Sequence, residues 1–318
     1  VRAAVRGESV MLVGDRAYQF PVAMLAPLTD AFVAHDWIAG AAMRAALGPV
    51  RSTVAVRALS GHRLLQWTDE PAAVPAVDGY ATAALLAVPP RELSAHRVAV
   101  VGCGGIGGEV ARHLAANGIR QLLLVDDDAV VRSNLNRQYL YTRADEGRPK
   151  VSAARAALRA IDPDLRVDTL PLAIRTAADT AVLDPYHPTV VLCCADTPKD
   201  IGQLLAGYAA EHGAVFALAS AGLDEVSWGP VVLPDGPSYS AWWRSRRAPA
   251  GISGEPLAYS FGPTNSLVAA ALARDLIHVL LGEAAPCLGA QLTCNLRTLQ
   301  LTRDELTRDG ITQDEAVR

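Results

Sequence analysis

The chain has 318 residues, a formal net charge of −4 and a pI near 6.0, with 51% hydrophobic and 19% charged residues. That length and composition suit a globular chain of one large or two ordinary domains, and the mildly acidic balance gives no basic surface for nucleic acid. No run approaches the ~18 uninterrupted apolar residues of a membrane span, no apolar signal segment follows Arg2 and Arg6, and five scattered cysteines suit a reducing compartment better than a disulfide framework. The expectation is a cytoplasmic protein with neither nucleic acid nor membrane as partner.

In chain order, residues 1–70 read as a small α+β module of the winged-helix kind. "SVMLVGDRAYQF" has two β-rich runs around Gly14-Asp15, a hairpin signal, and "PVAMLAPLTDAFVAHDW" and "IAGAAMRAAL" carry helical periodicity. Further strands are expected in "STVAVRAL" and "HRLLQW". Residues 71–96 hold Pro71, Pro75, Pro89 and Pro90 and read as a linker.

From residue 97 strands and helices alternate. Val98–Val101 leads into a helix with Ile106, Val110 and Leu114 on one face and Gly118 as its stop. "RQLLLVD" is a second buried strand, and "RPKVSAARAALRAI" a helix with Pro149 in its first turn. "RVDTLPLAI" is a strand; "PTVVLCCAD" is a central one, apolar on both faces. A helix in "PKDIGQLLAGYAAEHG" and a strand in "AVFALASAG" follow. "VSWGPVVLP" and "GAQLTCNLRTLQLTR" read as antiparallel strands around a long helix, "TNSLVAAALARDLIHVLLG", with Thr264 as N-cap. The fold expected for 97–318 is thus α/β, a doubly wound Rossmann-like, mostly parallel sheet with an antiparallel C-terminal extension.

Three local patterns carry chemistry. In "VGCGGIGGEV", Gly102, Gly104, Gly105 and Gly107 let the backbone approach a phosphate at the N-terminus of the next helix. Asp126, ending the second strand, is placed to take hydrogen bonds from ribose hydroxyls. Both features suit a dehydrogenase equally well. "VRSNLNRQYLYTRADEGRPK" separates the readings, because Arg137 and Lys150 converging on a phosphate site suit charge that is transferred or released.

These motifs, "GCGGIG", "DDD", "SNLNRQ", "GRPK" and the Asp of "VVLCCAD", resemble in order those of the ThiF/MoeB/HesA adenylyltransferases of the ubiquitin-activating type. The resemblance implies adenylation of a carboxylate by Mg·ATP. It assigns Gly102, Gly104, Gly105 and Gly107 to the nucleotide, Asp126 to the ribose, Arg137 and Lys150 to the phosphates and Asp196 to the metal, with Asp128, Asn134 and Gln138 in support. It also implies a homodimer, and a precursor peptide or small carrier protein as partner.

Two departures narrow it. Many relatives hold zinc with two Cys-x-x-Cys pairs; here "GPSYSAWW" has Ser238 and Ala241, and Cys287 and Cys294 lack a partner pair, so no zinc is expected. No cysteine lies between Cys194 and Cys287, where relay members place a nucleophile, and Cys193 and Cys194 fall in the expected core strand. The N-terminal module resembles the peptide-binding elements of ribosomal-peptide modification enzymes, such as the activating enzyme of microcin C maturation. The expected function is adenylation of a carboxylate on a ribosomally made peptide without a cysteine relay. The alternatives are a leader-peptide-binding partner of a cyclodehydratase without ATP turnover, and a sulfur-carrier activating enzyme.

Overall fold

The computed structural model describes residues 91–245, 260–306 and 313–314, together with three N-terminal strands at 2–6, 9–13 and 17–21. The chain divides into two compact units, Val1–Pro90 and Arg91–Arg318.

In the first unit, strands β1 (Arg2–Arg6), β2 (Ser9–Val13) and β3 (Ala17–Pro21) form an antiparallel sheet in the order β1-β2-β3. Val13 pairs with Ala17 across Gly14-Asp15, as the hairpin signal required. The helices and strands expected between residues 22 and 70 lie outside the described residues.

In the second unit, α1 (Arg91–Ser94) falls within the stretch expected as a linker, and its Leu93 is fully buried. The parallel strands β4 (Arg97–Val101), β5 (Gln121–Val125), β6 (Arg166–Leu170), β7 (Val190–Cys193) and β8 (Val215–Ala221) stand in the spatial order β6-β5-β4-β7-β8. Strands β9 (Glu225–Val232), β10 (Ala290–Asn295), β11 (Gln300–Glu305) and β12 (Gln313–Asp314) extend the sheet antiparallel beyond β8. All four residues of β7 are buried, which is why its run is apolar without alternation. Cys194 lies one position beyond β7 rather than in the strand itself, although its N–H still donates to the Val101 carbonyl of β4 at 2.8 Å.

Helices cover both faces. On one, α2 (Gly105–Ala116) packs between α3 (Lys150–Ile161) and α6 (Gly262–Leu280). Val110 and Leu114 of α2, and Val268, Leu272 and Leu276 of α6, are completely buried. On the other, α4 (Ile201–Glu211), α5 (Tyr239–Ser245) and a 3-10 segment, Ala178–Tyr186, close over Ala99, Val101, Leu123, Val191 and Phe216. Among the described residues no helix is long and apolar enough to cross a membrane.

One helix end matches expectation and another differs from it. Gly118 follows the C-cap Asn117 with φ +107°, a backbone only glycine adopts freely, so the stop of α2 is the one anticipated. Thr264 is not the N-cap of α6; Phe261 is, and the Thr264 hydroxyl sits in the first turn, donating to the carbonyls of Phe261 (2.8 Å) and Gly222 (3.1 Å). Pro263 sits in that first turn, where a missing N–H costs nothing, and so the helix starts two residues before Thr264.

Candidate active site

Strand order reverses between β4 and β7, and there the carboxyl ends of the parallel strands open into a cavity of about 760 Å³. This is where ligands bind in open α/β sheets, and the volume lies within the range of small-molecule sites.

The floor is the loop between β4 and α2. Gly102 has φ +92°, and a Cβ there would meet the Cys194 and Ala195 backbone at 2.6 Å, so only glycine lets the two loops touch. A Cβ at Gly107 would run into the Gly102 carbonyl, so Gly107 serves the loop's own packing; it does not line the cavity. Gly104 caps α2 with no side-chain hydrogen bond, leaving the first N–H groups of the helix facing a cavity that Gly104 and Gly105 line. Tyr141 pins the loop from beneath, its hydroxyl donating to the Cys103 carbonyl at 2.6 Å.

One wall is charged. The Asp126 carboxylate accepts the N–H groups of Cys103 (2.6 Å) and Asp128 (2.9 Å), so it braces the loop as well as facing the cavity. A carboxylate has about four lone-pair sites, so acceptor capacity remains for a ribose diol. Lys150, 5% exposed, donates to Asp128 at 2.6 Å and stands 4.0 Å from Asp126. Burial raises the Asp126 pKa above the ordinary carboxylate value, and Lys150 with the two N–H donors pulls it back down. Arg137 also lines the cavity; its guanidinium donates to the Ser133 carbonyl (2.9 Å) and to Asn136 (3.0 Å). Gln138 lines the same cavity, 4% exposed, and its Oε1 is buried without a hydrogen-bond partner.

The opposite wall carries Asp196, exposed beyond β7, with the Thr197 hydroxyl donating to it at 3.2 Å. Asn134, like Gly107, is an expected site residue that does not line the cavity. Asn134 is buried, and its Oδ1 accepts the Val131 N–H at 3.1 Å, closing its own turn. Among the described residues the only group of three metal-capable side chains is Asp126, Asp127 and Asp128, whose ligand atoms lie within 4.8 Å of one another. Each is already engaged: Asp126 by N–H groups, Asp127 by Arg175 at 2.9 Å and Asp128 by Lys150. Asp196, with one hydroxyl partner, is the freer oxygen donor for a hard cation.

Polar lining residues that no local motif announced include Arg175, Ser260 and Asn265. Each comes from a loop or helix end that only the tertiary fold brings to the cavity. Tyr141 stood within the quoted "SNLNRQYLY" but has nothing in its spacing that marks it as a brace. The cysteines are unsuited to nucleophilic work at rest. Burial pushes Cys103 and Cys194 up and Cys193 to about 12, so all three thiols stay protonated near neutrality.

A ThiF family model matches residues 86–310, most of the chain. The chain belongs to the ThiF family. The sulfur carrier protein adenylyltransferase of Thermus thermophilus is 31% identical over 197 residues, 60% of this chain and 72% of that protein. The molybdopterin-synthase adenylyltransferase of Salmonella typhimurium is 40% identical over 111 residues, 35% of this chain and 44% of that one. A crystal structure of E. coli MccB with AMPCPP and MccA superposes with a TM-score of 0.74 at 19% identity, covering 96% of this chain and 95% of that one. This ThiF-family chain is therefore an adenylyltransferase on a Rossmann-like fold, and its membership supports ATP as the nucleotide of the cavity.

Proposed function

We propose that this enzyme activates a carboxylate of a ribosomally made peptide as its acyl-adenylate, using ATP and Mg²⁺, without a cysteine relay. A carboxylate oxygen attacks the α-phosphorus, the bond from that phosphorus to the bridging oxygen of the β-phosphate breaks, and pyrophosphate leaves. In this reading Gly102, Gly104 and Gly105 shape the phosphate cradle, Asp126 takes the ribose hydroxyls, and Arg137 and Lys150 hold the phosphates. Asp128 keeps Lys150 extended along the wall, and Gln138 supports the nucleotide beside Gly104. Asp196 would hold Mg²⁺, which offsets phosphate charge when bound. The protein's own part is positioning and fixed positive charge, with little covalent chemistry.

The observation that carries the reading is the meeting of Lys150 and Arg137 with the uncapped N-terminus of α2 in one cavity. Support for a direct transfer comes from the protonated, buried thiols and from a sequence without cysteine between Cys194 and Cys287. Support for a peptide substrate comes from the N-terminal antiparallel sheet, whose β1 ends the described strand order and could accept an added strand. A homodimer working in the cytoplasm belongs to the same reading.

A second reading is favoured by the named relatives: activation of a small sulfur-carrier protein. ATP–pyrophosphate exchange separates the two. Exchange is expected with a candidate ribosomally made precursor peptide; exchange only with a carrier protein ending in Gly-Gly would overturn the peptide reading. Asp196→Ala should abolish exchange in either case. If that variant left product formation in cells intact, the chain would instead be a leader-peptide carrier.

A further inference from the structure

The cavity has a polar end that the nucleotide does not account for. In the adenylation reading, the ribose at Asp126 and the phosphates at the glycine loop occupy the β5 and β4 side. That leaves the side beyond β7 and β8 for the second substrate, and the start of α6 closes it. The Thr264 hydroxyl ties the first turn of α6 to the Gly222 carbonyl just past β8. A Cβ at Gly262 would press on Tyr139 and on the Asn136 carbonyl at 2.6 Å, so α6 also abuts the "SNLNRQ" segment. Asn136 Nδ2 donates to the Ser260 carbonyl at 3.3 Å and fastens the residue before the helix.

Within this frame stands Asn265, 3% exposed and lining the cavity. Its side chain lies against Gly105, so closely that a Cβ on Gly105 would strike it. Gly105 is the first residue of α2, so the Asn265 amide sits beside the N–H groups that face the phosphates. Asn265 Nδ2 donates to Ser260 Oγ at 2.9 Å. A primary amide carries two hydrogens, and Ser260 takes one. The second is a neutral donor on an amide held against Gly105 at the N-terminus of α2. A neutral donor suits that position, since attack brings two anions together and an acidic group there would repel both.

We infer that Asn265, tethered by Ser260, binds the substrate's acyl carboxylate beside the α-phosphate and fixes its angle of attack. The inference rests on the adenylation reading above. It makes Asn265 a determinant of acyl binding and leaves nucleotide binding to the glycine loop and Lys150.

The test needs no knowledge of the peptide. Binding of AMP and of 5′-O-(N-acetylsulfamoyl)adenosine, a stable mimic of an acyl-adenylate, is measured by calorimetry on the full chain. Asn265→Ala should weaken the acyl mimic about tenfold, the effect of one hydrogen bond, while AMP affinity changes less than about threefold. Asn265→Leu keeps the branched outline of the side chain beside Gly105 without its donor and should behave alike, which covers the case in which the alanine variant packs badly. Equal weakening of both ligands would make Asn265 a phosphate contact and overturn the inference. No weakening of either would overturn it as well. A wild-type chain that binds neither ligand would instead defeat the adenylation reading on which it rests.

Discussion

Replacing Lys150 with methionine tests the electrostatics of the charged wall. Methionine keeps the length and apolar stem of the buried side chain and removes its charge. Lys150 and Asp126 have side chains 7% and 8% exposed and stand 4.0 Å apart. With an effective dielectric of about 20, that separation corresponds to about 4 kcal/mol of attraction. Breaking a buried pair by removing one partner costs about 3–5 kcal/mol, because the remaining charge is left uncompensated. The two figures agree, and at roughly 2–4 °C per kcal/mol for a unit of this size the melting temperature should fall by about 10 °C near neutral pH. The effect has a pH signature. The folded-state pKa of Asp126 is raised by burial, so the native state holds this proton longer than the unfolded chain does. Its stability contribution is present below the ordinary carboxylate value and lost as pH rises through the raised one. Removing Lys150 raises that pKa further, so the variant loses more over the same rise. Thermal unfolding of both proteins at about pH 4 and about pH 7.5 should therefore show a gap that widens with pH. A gap of constant size, or none near neutrality, would refute the argument that Lys150 compensates Asp126.

Gly102→Ala places a Cβ against the Cys194 and Ala195 backbone in a φ +92° conformation. The backbone strain alone is about 1–3 kcal/mol, so the variant should melt lower and lose AMP binding by calorimetry. Alkylation with iodoacetamide, read by mass spectrometry at about pH 8, should spare Cys103, Cys193 and Cys287 in the native protein and modify all five cysteines after denaturation. Fast native labelling of Cys103 would show that its loop opens far more than its packing implies. Tyr141→Phe leaves the buried Cys103 carbonyl without its hydroxyl donor and should cost about 1–3 kcal/mol in denaturant unfolding. A neutral result there would mean that the loop does not depend on that brace.

The sequence by itself determined the alternation of strands and helices, the glycine loop, and the order of the charged residues from Asp126 to Lys150. These are local properties: β7 reads as apolar because both its faces are buried, and Gly118 ends α2 because few other residues tolerate its φ. The hairpin at Gly14-Asp15 was legible for the same reason. Side-chain direction was not. Asn134 belongs to the same short segment as Arg137 and Gln138, yet its amide turns inward to close its own turn while theirs reach the cavity. A motif's spacing does not say which of two competing hydrogen bonds an amide will make. Only the tertiary structure decided that Gln138 keeps a buried acceptor unpaired, that Asp126 braces the loop it faces, and that Asn136 meets Ser260 across 124 positions of chain. Nor could spacing place Asn265 against Gly105, because that contact depends on how α6 packs on α2, and the packing is set by the buried faces of both helices together.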